Sequence, residues 1–287
     1  MSRPPEGAPE RAPDRLAVLE RIRELEARGV FDVDVEDDPP TVPLDYTKVD
    51  FLGERLRTRL ATRLANRAAT RHYERMIRRG SFLLDGVRGM ESYLSVTGGA
   101  VLTCNHFSAL DNYAVWRSVR HTFGKRRLYK IVREGNYTSF PGFYGYLFRH
   151  CNTLPLASSP RGLATVMRAA DTLLRRGERI LIYPEQAMWW NYRKPRPCKA
   201  GAYYMAYRAG VPVIPFFITL TETETLGPDG FPIPRHTVHI LPPILPDTSL
   251  PLREATEKMA AENYAAWCRT YEEFYGIPVR YGEEEAP

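Results

Sequence analysis

A histidine and an aspartate five positions apart are the residues of this sequence best suited to acid–base chemistry. They follow an apolar run in the stretch 101-VLTCNHFSALDNYAVW-116, which contains His106 and Asp111. On one continuous helix these side chains would project about 140° apart and could not meet. If the chain turns at His106 and a helix begins near Asp111, the carboxylate can bind one imidazole nitrogen. The other nitrogen is then free to take a proton from a substrate hydroxyl, which would itself be the attacking group.

Short apolar runs alternate with helical patterns from about residue 98 onward. Strands are predicted at residues 99–104, 128–132, 180–183, 211–220 and 238–241, and helices at residues 110–121, 159–176, 200–209 and 252–275. This alternation predicts an α/β domain with a mixed, largely parallel central sheet flanked by helices. Active residues of such sheets collect where strands end and helices begin, which is where His106 lies.

The chain divides into three predicted parts. Residues 1–47 hold a disordered tail (1–13), a short helix near 15–28 and an acidic, proline-punctuated linker, 31-FDVDVEDDPPTVP-43. Residues 48–80 form a basic amphipathic helix, and residues 81–287 form the α/β domain. The sheet domain is therefore preceded by an N-terminal helical segment.

The predicted basic helix carries two repeats of four residues. One repeat is apolar and the other is basic: Leu52, Leu56, Leu60, Leu64 and Ala68; Arg55, Arg59, Arg63, Arg67, Arg71, Arg75 and Arg79. Residues 48–79 contain ten basic and three acidic residues, a net of +7 against +6 for the whole chain. Two interpretations stay open: a helix packed on the body with a solvated basic face, or attachment to an anionic membrane surface through the arginines. Nucleic acid would fit the charge but not the motifs described below.

Composition limits the compartment and the partners. The chain has 287 residues, 44% of them hydrophobic, and a pI near 9.1, which favours anionic partners. Its four cysteines are far apart and show no metal-ligand spacing, as is typical of reduced thiols in a cytosolic protein. Neither a secretory signal nor an uncharged apolar run of about eighteen residues is present. We expect a cytoplasmic protein, peripherally associated with the inner face of the membrane.

Two further motifs follow the first along the chain. In 180-ILIYPEQ-186 an apolar strand ends in Tyr183, Pro184 and Glu185, which places a second carboxylate at a strand end. That glutamate could equally cap a helix or pair with an arginine. In 199-KAGAYYMAYRAGVPVIPFFI-218, Lys199 and Gly201 open a helix that leads through a turn to a proline-framed strand.

In this order the three motifs resemble those of the glycerolipid, or 1-acylglycerol-3-phosphate, acyltransferase family, over residues 95–245. The resemblance implies transfer of a fatty acyl group from a thioester, acyl-CoA or acyl-carrier protein, to a hydroxyl of a lysophospholipid in phospholipid biosynthesis. His106 would be the general base and Asp111 its orienting partner, with no metal and no cofactor beyond the co-substrate. The substrate-binding residues that the resemblance implies are Asn105, Ser108, Arg133, Tyr183, Pro184, Glu185, Lys199 and Gly201.

Arg133 is the nearest candidate to stabilise the oxyanion of this reaction, because the family carries a cation in that region. Two other family arginines, expected to bind the acceptor's phosphate, are replaced by the stretches 151-CNTLPLASSPR-161 and 186-QAMWW-190. Four nearby cations could supply the charge instead: Arg193, Lys194, Arg196 and Lys199. Trp189, Trp190 and the aromatic segment 135–150 could line an acyl groove, meet a lipid interface or simply pack.

Other functions remain open alongside acyl transfer to a small lysophospholipid. The acceptor could be a larger lysolipid or a glycolipid, or water could replace it, which would give thioester hydrolysis. A non-catalytic lipid-binding protein built on this fold is a further alternative. A metal-dependent hydrolase using His106, Asp111 and Glu185 is disfavoured, since no further ligand falls at metal spacing near the first pair.

Overall fold

A seven-stranded sheet organises the chain, in the order β1-β7-β6-β2-β5-β3-β4. The computed structural model describes residues 10–37, 39–124 and 126–282. The strands are β1 (Leu83–Arg88), β2 (Ala100–Thr103), β3 (Leu128–Arg133), β4 (Thr153–Leu156), β5 (Arg179–Ile182), β6 (Val213–Thr221) and β7 (Arg235–Ile240). Neighbouring strands are parallel except β6 and β7, which run antiparallel. The predicted mixed, largely parallel sheet is confirmed.

Helices cover both faces of this sheet. They are α1 (Pro13–Ala27), α2 (Leu56–Arg78), α3 (Met90–Leu94), α4 (Asp111–Val119), α5 (Glu134–Thr138), α6 (Gly142–His150), α7 (Pro160–Arg175), α8 (Gly201–Ala209) and α9 (Leu252–Tyr275). Side chains alternate along β2, so Leu102 packs in the core under α2 and α4 while Val101 packs in the core under α7 and α8. Burial on both faces explains why β2 reads as a continuous apolar run.

The two edge strands and the short helices between them were not predicted. β4 consists of only four residues and includes Pro155, which has no N–H to donate to a neighbouring strand. β1 contains Gly86 at an irregularity in its pairing and is largely exposed. The aromatic segment 135–150 forms most of α5 and α6. Edge strands bury too little side-chain surface to leave a long apolar run in the sequence.

The basic helix differs from its prediction in extent and in orientation. It begins at Leu56 rather than near residue 48, because Gly53 adopts φ +63° and the carboxylate of Asp50 accepts the N–H groups of Glu54 and Arg55 at 3.2 and 2.8 Å. Its apolar repeat does not face the core. The exposed leucines of α2 and their exposed fractions are Leu56 (72%), Leu60 (54%) and Leu64 (59%). Ala65 and Tyr73 pack against the body instead.

The N-terminal segment packs against the loop that follows β5. Val18 and Ile22 of α1, together with Val35 of the linker, form a buried cluster with Ala187 and Trp189. Residues 1–9 of the predicted tail lie outside the described residues. The boundaries at residues 47/48 and 80/81 stay predictions. None of the described helices combines the length and the apolar character that crossing a membrane requires.

Candidate active site

His106 lies in the turn after β2, and Asp111 is the first residue of α4. The imidazole Nδ1 and the carboxylate Oδ2 are 3.0 Å apart. The same Oδ2 accepts the backbone N–H groups of Phe107 at 2.9 Å and Ser108 at 3.0 Å. Asp111 is completely buried. The Asp111 carboxylate therefore both stabilises the turn and orients the His106 imidazole.

This contact determines which imidazole nitrogen can act as a base. A carboxylate only accepts hydrogen bonds, so Nδ1 of neutral His106 carries the proton and Nε2 keeps its lone pair. The Tyr183 ring stacks on the imidazole with centroids 3.9 Å apart, which restricts its rotation. The His106 side chain retains 18% exposure and lines a cavity of about 1570 Å³. The His106 ring is therefore held in a defined orientation at the wall of this cavity.

A buried ion pair holds the histidine turn from the other side. Glu185 accepts the backbone N–H of His106 at 2.9 Å and the guanidinium of Arg196 at 2.7 Å. That guanidinium also donates to the carbonyls of His106, Ala187 and Phe31, at 3.1, 2.6 and 3.0 Å. Glu185 and Arg196 are 2% and 1% exposed. Several backbone groups around the base therefore depend on one internal ion pair.

The expectation that Arg196 and Lys194 supply charge to a substrate is wrong. Arg196 lies beneath the histidine turn, and Lys194 is buried with its Nζ 2.8 Å from Glu26. Arg193 pairs with Glu222 and is not among the cavity-lining residues. Proline-punctuated sequence around these cations, 193-RKPRP-197, was the one signal that they belong to a packed turn.

The structure brings five of the implied substrate residues to the cavity wall: Arg133, Tyr183, Pro184, Lys199 and Gly201. The other three make contacts within the fold. The Asn105 amide bonds both backbone groups of Ile218, at 2.8 and 3.0 Å, and the Ser108 hydroxyl accepts the N–H of Leu110 at 3.1 Å. Glu185 makes the contacts already described. A substrate-binding role for these eight residues stays a prediction.

Acidic residues of the N-terminal linker reach the cavity mouth, which sequence reasoning did not foresee. Asp34 hydrogen-bonds the guanidinium of Arg133, with one contact of 2.8 Å, and Asp34 and Glu36 both line the cavity. Asp32 lies 2.6 Å from Nζ of Lys199, and this hydrogen bond lowers the pKa of Asp32. The many acidic residues in positions 31–37 were the one indication in the sequence that this segment pairs with cations. Its partners, 99 and 167 positions away, could not be read from the sequence.

Apolar and aromatic side chains line much of the remaining cavity. They come from α2, α4, α6, α7 and α8: Tyr73, Trp116, Tyr144, Leu147, Leu163, Met167 and Met205. Trp189 is fully buried with its indole N–H bonded to the carbonyl of Val33 at 2.9 Å, and Trp190 packs edge-on against Phe231. Neither tryptophan is among the cavity-lining residues. An apolar wall beside the polar His106 side chain suits a substrate that has a polar part and a hydrocarbon part.

Cysteines near the site are not activated. Burial raises the pKa of Cys151, which lines the cavity, and raises that of Cys104, which follows β2. Both thiols therefore stay protonated and are poor nucleophiles at neutral pH. Within residues 10–37, 39–124 and 126–282, His, Cys, Asp and Glu side chains form no group of three or more that could hold a metal ion.

Two comparisons with known sequences give matches. Residues 87–219 match the family model described as Acyltransferase. A chloroplastic 1-acyl-sn-glycerol-3-phosphate acyltransferase of Brassica napus is 27% identical over 150 residues, which cover 52% of this chain and 40% of that protein. Residues 87–219 are thus similar to the acyltransferase family, and the chain spans less than half the length of the curated relative that it matches.

A solved structure is also similar. It is the 1-acyl-sn-glycerophosphate acyltransferase PlsC from Thermotoga maritima, which is 21% identical with a TM-score of 0.48. The match covers 78% of this chain and 81% of that one.

The ion pair under the histidine turn can be tested by a conservative change. We expect Arg196→Lys to lower the free energy of unfolding by about 2–4 kcal/mol, because an ammonium cannot reproduce the fork of donors to Glu185 and three carbonyls. Urea unfolding followed by circular dichroism measures this change. Arg193→Lys, at a more exposed pair, is the matched control and should stay within about 0.5 kcal/mol. Equal effects of the two changes would contradict the role assigned to Arg196.

Proposed function

We propose that this protein is an O-acyltransferase that moves a fatty acyl group from acyl-CoA or acyl-carrier protein to a hydroxyl of a lysophospholipid such as 1-acylglycerol-3-phosphate. Its place would be in phospholipid biosynthesis. The carrying observation is the contact of 3.0 Å between His106 Nδ1 and Asp111 Oδ2, at the wall of a large, mostly apolar cavity. The match of residues 87–219 to the Acyltransferase family supports the same reaction.

The proposed reaction moves one proton through His106. The acceptor oxygen attacks the thioester carbonyl carbon while its proton passes to Nε2 of His106. Asp111 stabilises the resulting imidazolium through Nδ1. When the tetrahedral intermediate collapses, the carbon–sulfur bond breaks and the leaving thiolate takes the proton back from Nε2. The products are an ester and a free thiol, and His106 returns to its starting state.

Stabilisation of the oxyanion would come from cavity-lining cations rather than from the histidine turn. The backbone N–H groups of residues 106, 107 and 108 are already bonded to Glu185 and Asp111. Arg133 lines the cavity and remains the proposed cation. A covalent route through a protein thiol is disfavoured, because burial raises the pKa of Cys151.

Acyl transfer can be tested with labelled acyl-CoA and acyl-carrier protein against a panel of lysolipids. We expect acylated lipid from the natural protein and a loss of about 10²- to 10⁴-fold in kcat for His106→Ala, because the general base is removed. His121→Ala, at an exposed position, is the control. Free fatty acid as the sole product would indicate hydrolysis. No product with either donor would overturn the enzymatic proposal and favour a lipid-binding role.

The acceptor's headgroup must contend with two cavity-lining cations that are paired with the chain's own carboxylates. Asp34 bonds Arg133, and Asp32 bonds Lys199. A phosphate monoester at this mouth would have to compete with those carboxylates. This observation favours the second candidate, an acceptor with a larger phospholipid headgroup or a glycolipid.

Removing one carboxylate should therefore change the preference among acceptors. We expect Asp34→Asn to raise the ratio of activity on lysophosphatidic acid to activity on lysophosphatidylcholine about fivefold, since Arg133 loses its competing anion. Asp37→Asn, at a carboxylate that is 93% exposed, provides the control. The same ratio in both variants and the natural protein would remove Asp34 from acceptor selection.

We further propose that α2 attaches the protein to an anionic membrane surface, in keeping with a cytoplasmic protein at the inner face of the membrane. On an ideal helix its exposed leucines and the arginines at 59, 63, 67 and 71 share an arc of about 140°, opposite Ala65 and Ala69. Leu56, Leu60 and Leu64 can enter the headgroup boundary while the surrounding guanidinium groups bind lipid phosphates.

Vesicle co-sedimentation tests this attachment. We expect Leu60→Glu to weaken binding to vesicles with anionic lipid about tenfold, through lost apolar burial and added repulsion, and higher salt to weaken the natural protein. Leu245→Glu is the matched control, because Leu245 is 71% exposed outside α2. Binding that is indifferent to both Leu60→Glu and salt would exclude α2 as the contact.

A further inference from the structure

A second concavity, of about 450 Å³, lies beside the reaction cavity. Its walls are the segment before α2, the first half of α2, the start of β3, and the turn from α6 into β4. Asn66 and Thr153 line both concavities, so the two adjoin. We call this second concavity the basic cleft.

The basic cleft is lined by seven cations, one of which, Lys48, is paired with Asp45 at 2.9 Å. They are Lys48, Arg55, Arg57, Arg59, Arg63, Arg127 and Arg149. Asp50 is the one carboxylate among the lining residues, and its oxygens accept the N–H groups of Glu54 and Arg55. So many like charges around one concavity repel one another, and an anion bound among them would relieve that repulsion.

Several of these cations have no ion-pair partner in the part of the chain that the structure describes. This holds for Arg57, Arg59 and Arg63 on α2, and for Arg127 at the start of β3. The cavity mouth differs, because Asp34 and Asp32 pair with Arg133 and Lys199 there. Unneutralised guanidinium groups thus collect in the basic cleft, whereas Arg133 and Lys199 at the reaction cavity are paired with carboxylates.

Uncharged hydrogen-bond donors also line the basic cleft. Thr58 and Thr62 lie on the same side of α2, and Tyr129 and Asn152 belong to the opposite wall. Helix α2 begins at the cleft and presents the positive end of its dipole there. Guanidinium forks together with hydroxyl and amide donors match the many acceptor oxygens of a phosphate group.

We propose that the basic cleft is a phosphate-binding site, which holds the phosphate-bearing part of a molecule whose remainder reaches the adjoining cavity past Asn66 and Thr153. Its ligand chemistry is a phosphomonoester or diphosphate, whether carried by a thioester donor or by a lipid headgroup. The cleft binds phosphate through its own cations, so this inference does not require acyl transfer to occur.

Isothermal titration calorimetry of the whole chain tests the site with four probes: pyrophosphate, CoA, a short-chain phosphatidic acid below its micelle concentration, and phosphate-free pantetheine. We expect pyrophosphate to bind, and the double change Arg59→Gln with Arg63→Gln to weaken that binding about tenfold or more. Arg127→Gln, on the opposite wall, should also weaken it. Arg71→Gln with Arg75→Gln removes the same charge from the same helix outside the cleft, and should alter the Kd less than about twofold.

Each outcome bears on the proposal. Binding of CoA assigns the phosphate to a thioester donor, binding of phosphatidic acid assigns it to a lipid headgroup, and either result supports the site. The proposal is overturned if pyrophosphate fails to bind, if the Arg71/Arg75 control weakens binding as much, or if pantetheine binds as well as CoA. His106→Ala should bind pyrophosphate normally, which separates this test from a failure of the proposed acyl transfer.

Discussion

The Glu185–Arg196 ion pair is the interaction on which the arrangement around the base depends. A charge taken out of water is costly unless its partner and its remaining hydrogen bonds are supplied together. Here the glutamate accepts from the backbone of the histidine turn, and the arginine donates to carbonyls on three separate segments of the chain. The hydrogen bonds of this buried pair thus offset the cost of burying its charges. They also connect the segments after β2 and β5 to the N-terminal linker.

Cations near the Glu185–Arg196 pair differ from those on α2 in whether a carboxylate neutralises them. Beside the base, Arg133 and Lys199 lie opposite linker carboxylates. Along α2 the arginines Arg57, Arg59 and Arg63 face solvent or the basic cleft without such partners in the described residues. A phosphate approaching the protein would meet the unneutralised region first. The cavity between the two regions is mostly apolar, which suits a substrate with an anionic end and a hydrocarbon body.

Much of the central sheet was predictable, because β2, β5 and β6 are buried on both faces and appear as uninterrupted apolar runs. The contact between His106 and Asp111 was predictable for a local reason, since only a turn can bring those positions together. The sequence-based predictions that failed concern features that depend on contacts between distant parts of the chain. The buried location of Arg196 depends on Phe31, and the exposure of Leu60 depends on which side of α2 the sheet occupies. Neither is encoded in a short window of sequence.

The packing of the N-terminal segment has a consequence for the order of folding. Phe31 supplies a carbonyl to Arg196 and stacks near Tyr281, and Glu26 accepts the N–H of Gly282 at 2.9 Å. During synthesis Glu26 and Phe31 are therefore made long before their partners at positions 196, 281 and 282. Contacts between such distant positions close large loops and form late. The Phe31 carbonyl would then reach Arg196 late, so that a partly folded chain carries His106 above an ion pair that still has one hydrogen bond unmade.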